Sequence, residues 1–241
     1  MSKYFIKDGY TEYKTDRNLT FDTNRKESYW DANRELSSKY YQWGVYQYIA
    51  GDIKKNDVVV DIGCGCGYKL HHIIGSKSKN IIGLDQPAPI QYCQNKYMFG
   101  KWIDVDFESP NFVKVSDKVD YLICSDVIEH LINPEKLISF IHSIISYDTK
   151  IIFSTPDRDR LRGYSCMSSE KPEHVREWNF SEFKKYIENN NFKILSHFHQ
   201  TPLRFTFWNY KVFFTILLRQ LFANDGRKFK YNQVVVCRKN L

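Results

Sequence analysis

The sequence predicts an α/β protein in which helices cover both faces of a mostly parallel sheet. Short apolar runs rich in Val and Ile alternate with segments of helical period, which is the pattern of such a sheet. The first run, 58–61, ends in an acid and leads directly into glycines at positions 63, 65 and 67. A glycine loop between a strand and a helix is typical of a ligand site at the carboxyl edge of the sheet.

The same alternation predicts the remaining elements along the chain. Strands are expected at 58–61, 81–85, 102–105, 119–124, 150–154, 192–199 and 234–237. Helices are expected at 68–74, 87–99, 134–146 and 181–190. Asn133 is the predicted N-cap of the third of these helices, and Ser181 or Asn179 that of the fourth. The last two strands follow each other without a normal crossover, which indicates an antiparallel edge.

Length and composition indicate one α/β domain with additions. The chain has 241 residues, of which 42% are hydrophobic and 16% aromatic, as expected for a globular protein. Residues 1–50 are expected to form an arm and a helical cap, the first half of it loosely packed, on a domain that spans 51–241. The six cysteines form no CxxC pair, and no apolar run approaches the length of a membrane span. We therefore expect reduced thiols and a cytoplasmic protein without a transmembrane segment.

The acid before the glycine loop discriminates between two classes of nucleotide. A dinucleotide site favours GxGxxG, but Tyr68 stands where the third glycine is needed. Asp61 would repel a pyrophosphate, whereas it would attract the cationic cofactor S-adenosylmethionine. Asp85 ends the second strand, where an acid can bind both ribose hydroxyls. The charge pattern therefore favours S-adenosylmethionine over NAD.

These motifs resemble those of class I S-adenosylmethionine-dependent methyltransferases across about residues 28–240. Segment 58–67 is similar to the first motif of that family, 83–85 to the second and 125–131 to the fourth. The resemblance implies a Rossmann-like sheet of seven strands in the order 3-2-1-4-5-7-6, with strand seven antiparallel. Asp104 competes with Asp106 as the acid that would hold the adenine. The implied cofactor-binding residues are Asp61, Gly63, Cys64, Gly65, Gly67, Asp85, Gln86, Asp106, Phe107 and Ser125.

The fourth motif carries a DxxEH pattern that suits a divalent metal. Asp126, Glu129 and His130 would share one face if the turn that holds them were helical. The pattern resembles the ExxEH site of small-RNA 2′-O-methyltransferases and ubiquinone-pathway O-methyltransferases, with Asp in place of the first Glu. The predicted ligands of Mg²⁺, Mn²⁺ or Fe²⁺ are Asp126, Glu129, His130 and His174, and the predicted catalytic residues are His130, His174 and Glu129. The alternatives are a metal-free site in which Glu129 and His130 orient the substrate, or a histidine base.

Two further segments bear on the substrate. The predicted substrate loop, 155–178, carries Arg158, Arg160 and Arg162, and Arg176 lies near its end. Guanidinium groups bind phosphates and carboxylates, although a solvated loop neutralised by its own acids is the competing interpretation. An aromatic helical insertion is expected at 203–230. It could pack on the sheet, form a dimer contact, cover the substrate or contact a membrane surface.

The leading hypothesis is an O-methyltransferase that acts on a small, anionic glycan or capsule precursor. Its acceptor would be a sugar hydroxyl or a phosphate or phosphoramidate group, because the substrate loop resembles that of bacterial polysaccharide methyltransferases. An RNA 2′-O-methyltransferase and a non-catalytic binding protein of the same fold are the alternatives. No block of five like charges and no clustered basic face is evident, so nucleic acid is not the expected partner. The sequence leaves the oligomeric state open.

Overall fold

A computed structural model describes residues 3–13, 36–110, 113–171, 173–207, 209–222 and 225–240. Its centre is a seven-stranded sheet in the order β3-β2-β1-β4-β5-β7-β6. The strands are β1 (Val59–Ile62), β2 (Ile81–Asp85), β3 (Lys101–Asp104), β4 (Tyr121–Ser125), β5 (Lys150–Pro156), β6 (Phe192–Gln200) and β7 (Asn232–Lys239). Strands β1 to β5 pair in parallel, and β7 is antiparallel to both of its neighbours. The predicted fold and strand order are confirmed.

Helices flank the sheet. They are α1 (Trp43–Ala50), α2 (Pro87–Lys96), α3 (Pro134–Ile144), α4 (Arg158–Arg162), α5 (Phe180–Asn189) and α6 (Tyr210–Leu221). The predicted helix at 68–74 is π-helical over Leu70–Ile74, and a 3-10 turn spans Ile128–His130. The substrate loop was expected to be irregular, but it contains the short helix α4. None of the described helices is both long enough and apolar enough to cross a membrane.

The sheet separates two apolar layers, which explains the β-branched strands. All four residues of β1 are buried, and consecutive residues point into opposite layers. Val60 packs in the layer of α3 and α5, whereas Val59 packs in the layer of α1, the π-helical turn and α2. Burial on both faces leaves the loops at the strand ends as the place for a site.

The two predicted helix caps have different outcomes. Asn179 begins α5 with a capping box in which its side chain and that of Glu182 bind each other's backbone amides. Asn133 is the N-cap residue of α3, as predicted, with Pro134 at the first helical position, but its side chain makes no capping hydrogen bond. Its amide instead donates to the Glu108 carboxylate at 3.2 Å, and Glu108 also accepts the backbone N–H groups of Ile132 and Asn133. Glu108 therefore fixes the segment that leads into the helix, without capping its first turn.

The described part of the N-terminus is not loosely packed. Ile6 is 2% exposed, and the backbone oxygen of Tyr4 accepts a hydrogen bond from the Trp178 indole at 2.9 Å. Residues 3–13 thus pack against the end of the substrate loop. Residues 14–35, with part of the predicted helical cap, lie outside the described residues.

Candidate functional site

The carboxyl ends of β1, β2, β4 and β5 meet at one edge of the sheet. Each is followed by a segment for which the sequence predicted a role: the glycine loop, Gln86, Asp126 and the substrate loop. Strand β6 ends, and β7 begins, opposite the end of β5, at this same edge. The strand order therefore brings the predicted residues to one edge of the sheet, where ligands bind in other open parallel sheets.

The glycine loop adopts a backbone that other residues would strain. Gly63, Gly65 and Gly67 all have positive φ angles, of 70°, 56° and 68°. A Cβ atom at Gly63 would also collide with the side chain of Val127. The loop therefore lies directly against the segment that follows β4, and the two predicted motifs are in contact.

Asp85 anchors the glycine loop through hydrogen bonds to the backbone. One carboxylate oxygen accepts from Gly65 N at 2.7 Å, and the other accepts from Gln86 N at 2.7 Å. Burial raises the pKa of Asp85 to about 6 although both hydrogen bonds favour the charged form. The acid predicted to bind ribose hydroxyls therefore also holds the loop in place.

Asp61 is buried beneath the loop and has partners that the motif did not reveal. The Tyr46 hydroxyl donates to its two oxygens at 2.8 and 3.1 Å. Burial raises the pKa of Asp61 to about 7, while Tyr46 and the positive charge of Lys69 oppose that shift. Tyr46 lies on α1, within the predicted helical cap. The sequence of that segment gave no indication that a tyrosine hydroxyl would contact the glycine loop. The resulting site is acidic, buried and pre-shaped.

The other predicted cofactor residues occupy the same edge with different exposure. Asp106 accepts from Glu108 N at 2.9 Å, whereas Asp104 is exposed at the end of β3, paired in register with Asp85. The side chains of Phe107 and Cys64 are buried in the two apolar layers, so only their backbone can face a ligand. The hydroxyl of Ser125 lies 2.7 Å from that of Ser154 on β5.

Glu129, His130 and His174 form a cluster that could hold a metal ion. Each offers one ligand atom, and these three atoms lie within 4.8 Å of one another. His174 reaches the 3-10 turn because Val175 N donates to the Glu129 carbonyl oxygen at 2.8 Å. The two imidazole rings are 4.7 Å apart and nearly perpendicular. The structure thus joins residues separated by 44 positions in the chain.

Both imidazoles are oriented through Nδ1. His130 Nδ1 lies 2.9 Å from the carbonyl oxygen of Glu173, and His174 Nδ1 lies 2.6 Å from the Glu177 carboxylate. Because each partner is an acceptor, Nδ1 carries the proton and Nε2 keeps its lone pair. Burial lowers the pKa of His174, although Glu177 opposes that shift. The neutral tautomer suits a metal ligand or a general base.

The Glu129 carboxyl group is fully buried and has no hydrogen-bond partner among the described residues. Neither carboxylate oxygen accepts a hydrogen bond from the described residues, and the nearby Thr155 hydroxyl favours the charge without a bond of normal geometry. Burial, followed by the negative charge of Asp126, raises the pKa of Glu129 well above its usual range. A buried carboxylate without partners is costly, so this group needs a proton or a cation.

Asp126 does not join the cluster, contrary to the prediction. Its two oxygens accept from Ser154 Oγ at 3.0 Å and from the Gln42 amide at 2.6 Å. Its φ angle is 54°, and the 3-10 turn begins only at Ile128. A residue in the left-handed region interrupts the helical path, so Asp126 cannot share a face with Glu129 and His130.

The prediction that the arginines bind an anionic substrate is wrong for three of the four. Arg158 donates to Glu182 at 2.7 and 3.0 Å, and Arg162 donates to Glu177 at 3.0 and 3.1 Å. Arg176 donates to the carbonyl oxygens of Leu131 and Ile132, at 2.6 and 2.9 Å, and to the Glu12 carboxylate at 3.2 Å. These guanidinium groups are buried because internal acceptors bind them.

Arg160 differs from the three buried arginines. It lies closer to the surface, where it donates to the backbone oxygen of Lys230 at 3.0 Å. Its role toward substrate stays a prediction.

Glu177 is a residue of the candidate site that the sequence did not single out. It is fully buried, and it accepts from Arg162, His174 and Ser169. These donors hold the pKa of Glu177 well below its usual range despite its burial. The only available indication was its position three residues after His174.

Comparison with known proteins identifies the chain. A family model described as a methyltransferase domain matches residues 32–197, well over half of the chain. A chain from the complex between the Haloferax volcanii Trm112 methyltransferase activator and a methyltransferase is 14% identical, with a TM-score of 0.61; the match covers 87% of this chain and 94% of that one. An S-adenosylmethionine-dependent methyltransferase from Mesorhizobium loti is also 14% identical, with a TM-score of 0.59 and coverage of 82% and 97%.

Among curated proteins the similarity is confined to a short stretch. The tRNA U34 carboxymethyltransferase of Shewanella baltica is 45% identical over 40 residues, which are 17% of this chain and 12% of that protein. The chain thus matches about an eighth of the length of this relative. The family match and the arrangement of the strands agree: the chain belongs to the methyltransferase domain family and has the fold of S-adenosylmethionine-dependent methyltransferases.

Proposed function

We propose that this methyltransferase uses S-adenosylmethionine to methylate a hydroxyl group of a small glycan or capsule precursor. The observation that carries the proposal is the cluster of two Nδ1-anchored imidazoles beside Glu129, whose buried oxygens have no hydrogen-bond donor among the described residues. An acceptor hydroxyl has to lose its proton during methyl transfer, and this cluster offers groups that can take it.

The glycine-loop edge fits the cofactor. Asp61 is an acid buried beneath a backbone that only glycines adopt without strain, and Asp85 holds that backbone. A buried carboxylate favours a cationic ligand. When bound, S-adenosylmethionine supplies a methyl group already activated by its sulfonium. Asp61, Asp85 and the backbone of Gly63 to Gly67 would hold it, with Asp106 beside them.

The imidazoles of His130 and His174 would accept the proton at Nε2. Glu177 fixes the tautomer and orientation of His174, and the Glu173 carbonyl oxygen does the same for His130. Because burial lowers the pKa of His174, its imidazole is neutral and able to accept a proton near neutral pH. Positioning of the acceptor beside this base contributes to catalysis along with proton removal.

The same residues fit a divalent metal ion. The orphaned carboxylate of Glu129 supplies a negative charge, and His130 and His174 are oriented through Nδ1 as metal-binding histidines are. Two nitrogen donors and one carboxylate favour Mn²⁺ or Fe²⁺ over Mg²⁺. When bound, such an ion supplies a Lewis acid that lowers the pKa of a nearby hydroxyl.

The acceptor is proposed as a sugar hydroxyl rather than an anionic group. Three of the four arginines expected to bind a phosphate or carboxylate are occupied by internal acceptors. Arg160 is the remaining candidate for a charged part of the substrate. The glycan assignment rests on the resemblance of segment 155–183 to bacterial polysaccharide methyltransferases.

An RNA hydroxyl is the second candidate acceptor. Its support is the 40-residue similarity to a tRNA U34 carboxymethyltransferase. Transfer of labelled methyl groups to a tRNA pool, with no transfer to any glycan precursor, would favour RNA.

A methyl-transfer assay tests the proposal. Purified protein with labelled S-adenosylmethionine is offered a panel of nucleotide sugars and capsule intermediates, before and after treatment with EDTA. We expect transfer to a sugar hydroxyl, loss of activity in the chelator and recovery with Mn²⁺ or Fe²⁺. Full turnover in EDTA would exclude a catalytic metal, and the mechanism with a histidine base would remain. Failure to bind S-adenosylhomocysteine in calorimetry would overturn the assignment of an active enzyme.

A further inference from the structure

Helix α6 presents an apolar stripe outward. From Tyr210 to Leu221 exposed large apolar side chains recur every three or four residues, which places them along one side of the helix, and one more precedes and one follows the helix. All are between 45% and 85% exposed, and Phe207 and Phe222 exceed 80%. This outer stripe consists of Phe207, Tyr210, Phe214, Leu218, Leu221 and Phe222.

The opposite side of α6 is anchored on the protein. Phe213 is half-buried, and its ring lies 4.9 Å from the rings of both Phe205 and Phe229. Ile216, on the same side as Phe213, is half-buried as well. Leu217 lies between Phe214 and Leu221 on the apolar stripe and is half-buried, so the stripe is partly covered there and faces outward along the rest of its length. Single exposed apolar residues are common, but a contiguous stripe of this kind marks an interaction surface.

Charge is concentrated in the same part of the chain. Residues 189–241 contain nine Lys and Arg residues and one acid, Asp225, whereas residues 1–188 contain 26 basic and 27 acidic residues. The last 53 residues thus carry a formal charge of +8, and the rest of the chain carries −1. Exposed basic residues in the segment that carries α6 are Arg204, Lys211, Lys228 and Lys230.

The stripe and these charges lie at the edge that holds the site. Helix α6 connects the end of β6 to the start of β7, where Gln200 pairs with Asn232. Asn232 also pairs with Pro156 at the carboxyl end of β5. Arg204 N donates to the Tyr40 oxygen at 2.8 Å, which holds the insertion against the segment before α1.

We propose that the outer stripe of α6 binds the surface of an anionic lipid bilayer, with the helix axis in the plane of the interface. An apolar side with flanking cations is the arrangement of helices that lie at such interfaces. Leucine side chains at positions 218 and 221 have no ring to stack on a nucleobase, so their outward position favours lipid over RNA. Binding would turn the site edge toward the membrane. The inference does not depend on the identity of the methyl acceptor.

Vesicle flotation tests this inference with the full-length protein. The probes are phosphatidylcholine vesicles with and without about 30 mol % phosphatidylglycerol, at about 0.1 M salt. One triple variant replaces apolar residues (Phe207→Ser, Leu221→Ser, Phe222→Ser), and a second removes charge (Lys211→Gln, Lys228→Gln, Lys230→Gln). The control variant carries Met98→Ser and Lys136→Gln, which change exposed residues elsewhere. Thermal unfolding checks that each variant is folded.

We expect the wild type and the control to float with anionic vesicles and not with neutral ones. Each Lys removed should weaken binding about fivefold, so the charge variant should bind about a hundredfold more weakly. The apolar variant should lose binding altogether. Three outcomes would overturn the inference: no flotation of the wild type, equal flotation of all variants, or a dimer that only the apolar variant disrupts without any lipid binding. Retention of RNA on a filter that is lost in the charge variant, again without lipid binding, would assign the surface to RNA.

Discussion

The glycine-loop edge and the Glu129 cluster both carry buried acids, but these acids differ in their partners. Asp85 accepts two backbone hydrogen bonds, and Asp61 accepts hydrogen bonds from Tyr46. The Glu129 carboxyl group accepts none from the described residues, although it is buried as completely as Asp61. The acids beside the glycine loop thus have hydrogen-bond donors within the protein, whereas the described residues supply none to Glu129, which needs a proton or a cation.

This difference separates a scaffold from the proposed reactive site. Acids with satisfied hydrogen bonds stabilise the loop that shapes the cofactor site, while an orphaned acid reduces stability unless a ligand compensates it. Glu177 belongs to the first kind although it lies in the second region, because three side chains donate to it. Substitutions of partnered groups should therefore change stability or cofactor affinity, whereas substitutions in the Glu129 cluster should change kcat.

The largest effect is expected at His174. The variant His174→Gln should lower kcat by a factor of about 100 or more, because it removes either the proton acceptor or a metal ligand. Binding of S-adenosylhomocysteine, measured by calorimetry, should change less than about twofold. His72→Ala, at an exposed histidine of the π-helical turn, is the matched control. Normal turnover of His174→Gln would remove this cluster from the chemistry.

Arg158→Met should act on stability. Removal of the guanidinium leaves Glu182 buried beside an apolar side chain, which should lower the free energy of unfolding by about 3–5 kcal/mol. Arg160→Met, two residues away and closer to the surface, should change it by less than about 0.5 kcal/mol. Urea denaturation measures both. If Arg158→Met kept its stability and raised KM instead, the guanidinium would bind substrate after all.

Glu177→Gln should lower activity about tenfold to a hundredfold, because it loosens the orientation of His174. The carboxylate raises the pKa of His174, so its removal should shift the acidic limb of the kcat–pH profile to lower pH. Glu170→Gln removes the exposed partner of the same Arg162 and is the control. A fall in stability with an unshifted pH profile would limit Glu177 to a structural role.

The smallest effect is expected at Asp61, in the affinity for the cofactor. Burial raises the pKa of Asp61 from 3.8 to about 7, so the folded protein without cofactor binds more protons than the unfolded chain between these values. The stability contributed by this protonation is present at low pH and is lost as pH rises through about 7. A cationic ligand favours the charged form, so S-adenosylmethionine should bind more tightly as pH rises toward 7.

Asp61→Asn tests this linkage by calorimetry across the same pH range. We expect affinity at pH 8 to fall about tenfold and the slope of affinity against pH to become shallower, with the remaining slope due to Asp85. Asp148→Asn, at an exposed position, should leave both unchanged. An unchanged slope in Asp61→Asn would mean that Asp61 does not sense the cofactor charge.

Local pattern predicted most of the fold. The strand expected at 81–85 has those bounds in the structure, because its apolar β-branched run ends at a polar residue on each side. The glycine loop was equally predictable, since a positive φ angle favours glycine at all three positions and a close neighbour leaves no room for a Cβ atom at Gly63 and Gly67. The contacts at helix ends were less predictable: Asn133 occupies the predicted N-cap position, but its amide group binds Glu108 on another loop and not the first helical turn.

The candidate site also has a part that the sequence predicted and a part that only the tertiary structure revealed. The sequence by itself determined the cofactor edge, because the glycines and the acids at the strand ends act through short-range backbone geometry and charge. It also brought Glu129, His130 and His174 into consideration. Only the tertiary structure decided that Asp126 turns toward Gln42 and Ser154, and that buried carboxylates bind Arg158 and Arg162. Such pairings depend on which distant residues are buried together, and burial is a property of the packed chain rather than of any local segment.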